Sequence, residues 1–196
     1  MAERPVRPTL IVFARAPRLG RVKRRLAAEI GPAAALAFYR RTLARLLARA
    51  ARDCRWRLAL ALTPDNAVLP CARAWRRWKQ GGGDLGARMA RAMARAPGPV
   101  VLVGADIPAL GTRQIADAFA RLRSADAVFG PAKDGGFYLV GLRRPQRAAR
   151  MFAGARWSTA EALADVRSNL RGRRVALVAR LGDVDSAADL ARERPR

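Results

Sequence analysis

TLIVFARAPRLGRVKRRL, Thr9 to Leu26, sets a β-branched and aromatic run, a basic turn with one glycine and the start of a helical spacing in direct succession. Thr9 to Ala14 (TLIVFA) reads as a first strand buried on both faces, because no strongly polar residue breaks it after Thr9. A loop follows from Arg15 to Arg21. Helical spacing resumes at Val22 and continues through Leu26 and Ile30. Gly31 and Pro32 then interrupt it before the alanine and leucine pattern of Ala33 to Ala51, an amphipathic helix with arginine on its wet side.

The same alternation continues outward. Trp56 to Leu62 reads as a strand that Thr63, Pro64 and Asp65 turn out of the sheet. Val100 to Gly104 is a third strand, Thr112 to Arg123 a helix, and Ala127 to Gly130 and Phe137 to Leu142 further strands. A helix from Ser158 to about Leu170, a strand at Arg174 to Val178 and a short helix from near Asp185 complete the pattern. Strands and helices in alternation predict an α/β fold with three α/β/α layers and a mostly parallel sheet. In such sheets ligands gather beyond the carboxyl ends of the strands. One domain over residues 1–196 is expected, since Gly81 to Gly83 is a loop between matching α/β patterns. Trp75 and Trp78, in a basic segment, are read as ring packing or as a partner surface.

Composition narrows the chemistry. There is no histidine, which removes imidazole bases, Ser/His and Cys/His nucleophiles and most transition-metal sites. Any metal must be held by oxygen, which points to Mg²⁺ or Mn²⁺ on one or two carboxylates, water and substrate phosphates. Cys54 and Cys71 lack metal-ligand or disulfide spacing and are expected to be buried thiols. No run reaches the ~20 apolar residues of a membrane span, and the apolar run near the amino terminus is too short for a signal peptide, so no membrane partner and a cytoplasmic location are expected. Lys and Arg number 39 against 15 Asp and Glu, a net charge of +24. The cations are mostly Arg spread over every element beside abundant Ala, which reads as compositional bias, with nucleic-acid binding as a minority reading.

Five segments carry candidate sites. Ala16 to Leu26 is a glycine turn entering a helix, where Lys23 and Arg25 add cations to free helix amides; it is a phosphate loop or a solvated basic turn. Asp106, in VLVGADIPAL, follows an apolar strand and is read as a metal ligand in preference to a turn cap. Asp134, Gly135 and Gly136 form either a hairpin turn or a surface against which substrate presses. Asp183 and Asp185 alternate in extended chain and would face one cation, although Asp185 or Ser186 could equally cap the last helix. Gln80 to Met89, including Gly83 and Asp84, is a loop that could grip base or ribose, or a plain connection.

Taken together, FARAPRLGRVKRRL, QGGGDLGARM, VGADIPAL, GPAKDGGFYLVGL and DVDSAADL resemble, in order and over nearly the whole chain, the bacterial radical-SAM/selenodomain-associated transferases. These are glycosyltransferase-A-like members of the nucleotide-diphospho-sugar transferase superfamily, similar also to guanylyltransferases. The resemblance implies a phosphate loop containing Ala16, Pro17, Gly20, Lys23 and Arg25. It implies Asp106 as metal ligand, Asp183 and Asp185 as a later acidic pair, and Asp134 to Gly136 as an acceptor-side turn. Arg24 stands where that family usually has Thr, and Leu19 where Pro is common. The reading is a metal-dependent transferase acting on a nucleoside triphosphate or sugar nucleotide and a small-molecule acceptor. Lys23, Arg25 and Asp106 serve the transfer and Asp134 is the base if a hydroxyl attacks. Gln80, Gly83, Asp84, Gly135 and Gly136 contact substrate. Pyrophosphate-releasing nucleotidyl transfer is the alternative chemistry, and a non-catalytic binding module the alternative class.

Overall fold

The computed structural model describes residues 6–192. Seven strands form one sheet in the order β3-β2-β1-β4-β6-β5-β7. They are β1 (Thr9–Arg15), β2 (Arg57–Thr63), β3 (Arg76–Lys79), β4 (Val100–Gly104), β5 (Ala127–Pro131), β6 (Phe137–Leu142) and β7 (Val175–Leu177). β6 runs antiparallel to both β4 and β5, and the other pairings are parallel. The helices are α1 (Arg24–Ile30), α2 (Pro32–Ala51), α3 (Leu85–Met93), α4 (Thr112–Arg121), α5 (Ala148–Phe152), α6 (Ala162–Ser168) and α7 (Ala187–Arg192).

The unbroken apolar run of β1 follows from its place in the middle of the sheet, covered on both sides. Leu10 and Val12 pack on one face with Leu43 and Leu47 of α2 and Ile115 of α4. Ile11 points the other way, into a core shared with Met89 and Met93 of α3, Phe152 of α5 and Val166 of α6. The period-two alternation of the strand thus feeds two helical layers, giving the α/β/α sandwich expected.

Local departures have local causes. α1 begins at Arg24, two residues late, because Lys23 lies in the left-handed region (φ 46, ψ 51). α6 begins four residues late, since Ser158 is also left-handed (φ 64). β3 was not anticipated: it is an edge strand with one neighbour and exposed arginines, so it carries no apolar run. Trp75 is buried and Trp78 packs against the core, so both rings are packing residues. α5, a five-residue helix, was also missed. The expectation of buried thiols is corrected: Cys54 sits in the turn between α2 and β2, Cys71 in a 3₁₀ turn, and both are exposed. Among the described residues no helix is long and apolar enough to cross a membrane.

Candidate functional site

The parallel strands β1, β2 and β4 end side by side at Arg15, Thr63 and Gly104, and the segments that follow them enclose a cleft of ≈ 640 Å³. Arg15, Arg21, Lys23, Arg24, Arg25 and Arg88 line it, with Asp106 and Asp185. A second cavity of ≈ 220 Å³ shares Leu85, Gly104, Asp106 and Ser158 with the first and adds Asp134, Gly136 and Asp183. Asp106 therefore stands where the two meet.

Lys23 ties the acids together. Its Nζ lies 3.2 Å from Asp106 Oδ2 and 2.9 Å from Asp185 Oδ1, and its side chain is 4% exposed. Arg25 Nη1 reaches the other Asp185 oxygen at 3.5 Å. Burial works against the Lys23 charge, but Asp106 and Asp185 outweigh it and raise its pKa. Asp185 is disfavoured by burial yet held below the usual carboxylate range by its Lys23 hydrogen bond and by Arg25. Asp183 behaves oppositely, pushed up by burial and by the nearby Asp185 and Asp134. Among the described residues Asp183 makes no ion pair of its own.

Four contacts bring the distant Asp183–Asp185 segment here. Leu181 N donates to the Pro131 carbonyl at 3.1 Å, pinning the segment beside the end of β5. Tyr138 donates its hydroxyl to the Ala179 carbonyl at 2.7 Å. Val184 is buried with Leu26 and Phe38, and Glu29 of α1 accepts from Ala187 N at 2.7 Å at the start of α7. The capping ambiguity resolves onto Ser186, whose Oγ accepts from Asp189 N while Asp189 accepts from Ser186 N, both at 3.1 Å. Asp185 is left free to meet Lys23. Lys23 and Ser158 are the two non-glycine residues with positive φ among those described, and both border the site, where such strain commonly collects.

Other expected contacts are revised. Ala16 is buried in the core, with its N–H bonded to the Thr63 carbonyl, and Pro17 lines a different groove against α2. Gly20 supplies a turn (φ 68) next to the cleft, with Arg21 as the first residue after the turn that lines it. Gln80 is 1% exposed, and its Nε2 donates to the Ala14 and Ala61 carbonyls at 3.0 and 2.7 Å. Its Oε1 accepts from Arg88, so the side chain clips β1 and β2 together and holds an arginine, leaving no free donor for substrate. Asp84 accepts from Ala87 N at 2.7 Å as the α3 N-cap and faces a groove outside the cleft, with Gly83 beside Ala87. A Cβ at Gly135 would meet the Ala160 carbonyl at 2.1 Å, so protein fills the space once reserved for substrate, while Gly136 does line the cavity. Asp134 accepts from Gly136 N at 3.0 Å.

Arg88 went unnoticed in the sequence, where one arginine among many carries no signal. Its guanidinium lies 5.9 Å from the Phe13 ring, its Nε has no hydrogen-bond partner, and among the described residues it pairs with no carboxylate. Burial and the neighbouring Arg15 and Arg91 lower its proton affinity. A cation on the cleft wall with no carboxylate partner is a ready receptor for an anion.

The acids fit a hard divalent ion by donor type. Asp106 is partly exposed, Asp183 lacks an ion pair, and carboxylate crowding at Asp183 is what a bound cation would relieve. Among the described residues no three acidic, histidine or cysteine side chains surround one point; Mg²⁺ needs only one or two carboxylates when phosphates and water complete its shell.

A model of the family described as an uncharacterized protein conserved in bacteria (DUF2064) matches residues 46–159. A candidate nucleotide-diphospho-sugar transferase from Desulfovibrio desulfuricans G20 superposes with a TM-score of 0.87 at 31% identity, over 94% of this chain and 85% of that one. The 4-diphosphocytidyl-2C-methyl-D-erythritol synthase of Anaerococcus prevotii DSM 20548 gives 0.64 at 12% identity, over 95% of each chain. Rv0371c of Mycobacterium tuberculosis H37Rv, in complex with manganese, gives 0.55 at 18% identity, over 95% of this chain and 97% of that one. The last two show a shared fold alone. No curated protein matches the sequence.

Proposed function

From the premise that this chain belongs to the bacterial family DUF2064, we propose that it is a metal-dependent transferase of the glycosyltransferase-A type, using a sugar nucleotide or related nucleoside phosphate. The observation that carries this reading is the position of Asp106 on the border between a cationic cleft and a smaller acidic cavity. A donor with a polyphosphate belongs on the cationic side and an acceptor on the other, with the reacting centre between them.

Arg88 and Arg15 bind the phosphates by charge-assisted hydrogen bonds, and Lys23 and Arg25 further offset the phosphate charge. Gln80 keeps Arg88 in place. Asp106 and Asp183, with Asp185 as the alternative partner, would hold Mg²⁺ or Mn²⁺, which when bound offers Lewis-acid stabilisation of charge on the leaving phosphate. The acceptor hydroxyl forms its new bond to the sugar carbon as the bond from that carbon to the phosphate oxygen breaks. The electron pair leaves with the phosphate, and the hydroxyl proton passes to Asp134 as general base. The relatedness to the Desulfovibrio protein, itself a candidate nucleotide-diphospho-sugar transferase, supports glycosyl over nucleotidyl transfer. A narrower kinship with the radical-SAM/selenodomain-associated transferases, and action in the cytoplasm, belong to the same proposal.

The test is a thermal-shift series with nucleoside triphosphates and UDP-, GDP- and ADP-sugars, with Mg²⁺ or with chelator. At least one compound should stabilise the protein only when Mg²⁺ is present, and Asp106→Asn should abolish that increment. If no compound gives a metal-dependent shift, the transferase reading is wrong.

A further inference from the structure

The two halves of the site differ in charge in a way that composition does not explain. A chain with 39 cationic and 15 acidic residues should place cations almost everywhere. The cleft on the Lys23 side does so, yet the smaller cavity contains Asp106, Asp134 and Asp183 and neither Lys nor Arg. Lys23 is already committed to Asp106 and Asp185, and Lys133 folds over Gly182 and does not line the cavity. A divalent ion held by Asp106 and Asp183 would offset those two charges, leaving Asp134, which has no ion pair among the described residues, as the carboxylate that faces an acceptor. An acceptor carrying phosphate or carboxylate would meet like charge there, a juxtaposition that weakens binding.

The rest of the lining is largely apolar. Phe137, Trp157, Leu85 and Met89 form a wall, and Trp157 is fixed edge-on against Phe137 and Phe152 at 6.3 and 5.8 Å between centroids. Ser158 and Thr159 add polar residues to the lining. A cavity that combines aromatic and aliphatic side chains with carboxylates suits a molecule with a C–H face and an edge of O–H donors.

We propose that the acceptor is an uncharged, hydroxyl-rich small molecule of sugar or polyol type, bound against Trp157 and Met89 with its hydroxyls toward Asp134. This rests on the transferase reading and names its second substrate class.

Met89 offers a local probe, since it lines the cavity while Met93 and Met151 are buried elsewhere in the core. Full-length protein carrying ¹³C-methyl methionine is titrated without nucleotide, in 0.3 M salt to suppress generic phosphate binding (about a 6 Å Debye length). The ligands are methyl glucoside and glycerol, each compared with glucose 6-phosphate and glycerol 3-phosphate. The Met89 resonance, assigned by Met89→Leu, should shift and saturate with the neutral compounds, with the phosphorylated ones at least about tenfold weaker. Asp134→Lys should narrow or reverse that preference. Tighter binding of the phosphorylated compounds, no Met89 response to any neutral one, or an unchanged preference in Asp134→Lys would each overturn the acceptor assignment. The nucleotide series is read on separate samples: metal-dependent nucleotide binding with an anion-preferring Met89 defeats this inference alone, whereas its absence defeats the transferase reading beneath it.

Discussion

Replacing Lys23 with methionine keeps the length and apolar stem of the side chain and removes the charge that Asp106 and Asp185 surround. At an effective dielectric of ~20, contacts of 3.2 and 2.9 Å are each worth about 5 kcal/mol before desolvation. Burying the ammonium returns several kcal/mol of that, and the carboxylates are 46% and 35% exposed, so water and salt screen the pair. Loss of the lysine should therefore cost about 1–3 kcal/mol, below the ~3–5 of a fully buried pair. For a chain of this size that is a fall of roughly 3–10 °C in melting temperature. The assay is calorimetry of wild type and Lys23→Met in chelator and again in Mg²⁺. The variant should melt lower in chelator and recover more stability from Mg²⁺ than wild type does, because the acids have lost their resident cation. It should also bind nucleotide more weakly. Equal melting in chelator, together with an unchanged Mg²⁺ increment, would show that Lys23 does not neutralise this cluster.

Three further outcomes are expected. Asp183→Asn should be more stable than wild type in chelator at pH 7–8: burial and crowding raise the native pKa of Asp183, so its contribution is lost as pH rises through that value, and the same variant should lose most of its Mg²⁺ stabilisation in thermal melts. Arg88→Lys should weaken nucleotide binding about tenfold by calorimetric titration while leaving the fold intact by circular dichroism, since lysine keeps the charge but cannot fork to Gln80 and phosphate together. The Asp165 carboxyl is held near 2 by the Arg156 guanidinium and backbone N–H, so its contribution is present above its unfolded value of ~3.9 and fades as pH falls toward 2; acid melts of Asp165→Asn should show a shallower decline over that range.

The sequence by itself determined the layer architecture. An apolar run such as Leu10, Ile11 and Val12 has only one comfortable place, the middle of a sheet covered on both faces, and the alternating helices supply the covers. It also narrowed the chemistry, because a chain without histidine has neither an imidazole base nor an imidazole metal ligand. Asp106 was legible for a local reason: one acid directly after a buried strand has to emerge at the sheet's rim. Gln80 and Gly135 were misread because their partners, the Ala14 and Ala61 carbonyls and the Ala160 backbone, lie far along the chain. Arg88 was invisible among so many arginines until folding set it in the wall of the cleft without a carboxylate partner. Tertiary structure alone decided that Ser186 caps α7, freeing Asp185 for Lys23, and that one side of Asp106 is cationic while the other is acidic. Local preference is encoded within a few residues, but the sign of a cavity is summed over side chains that meet only once the chain has folded.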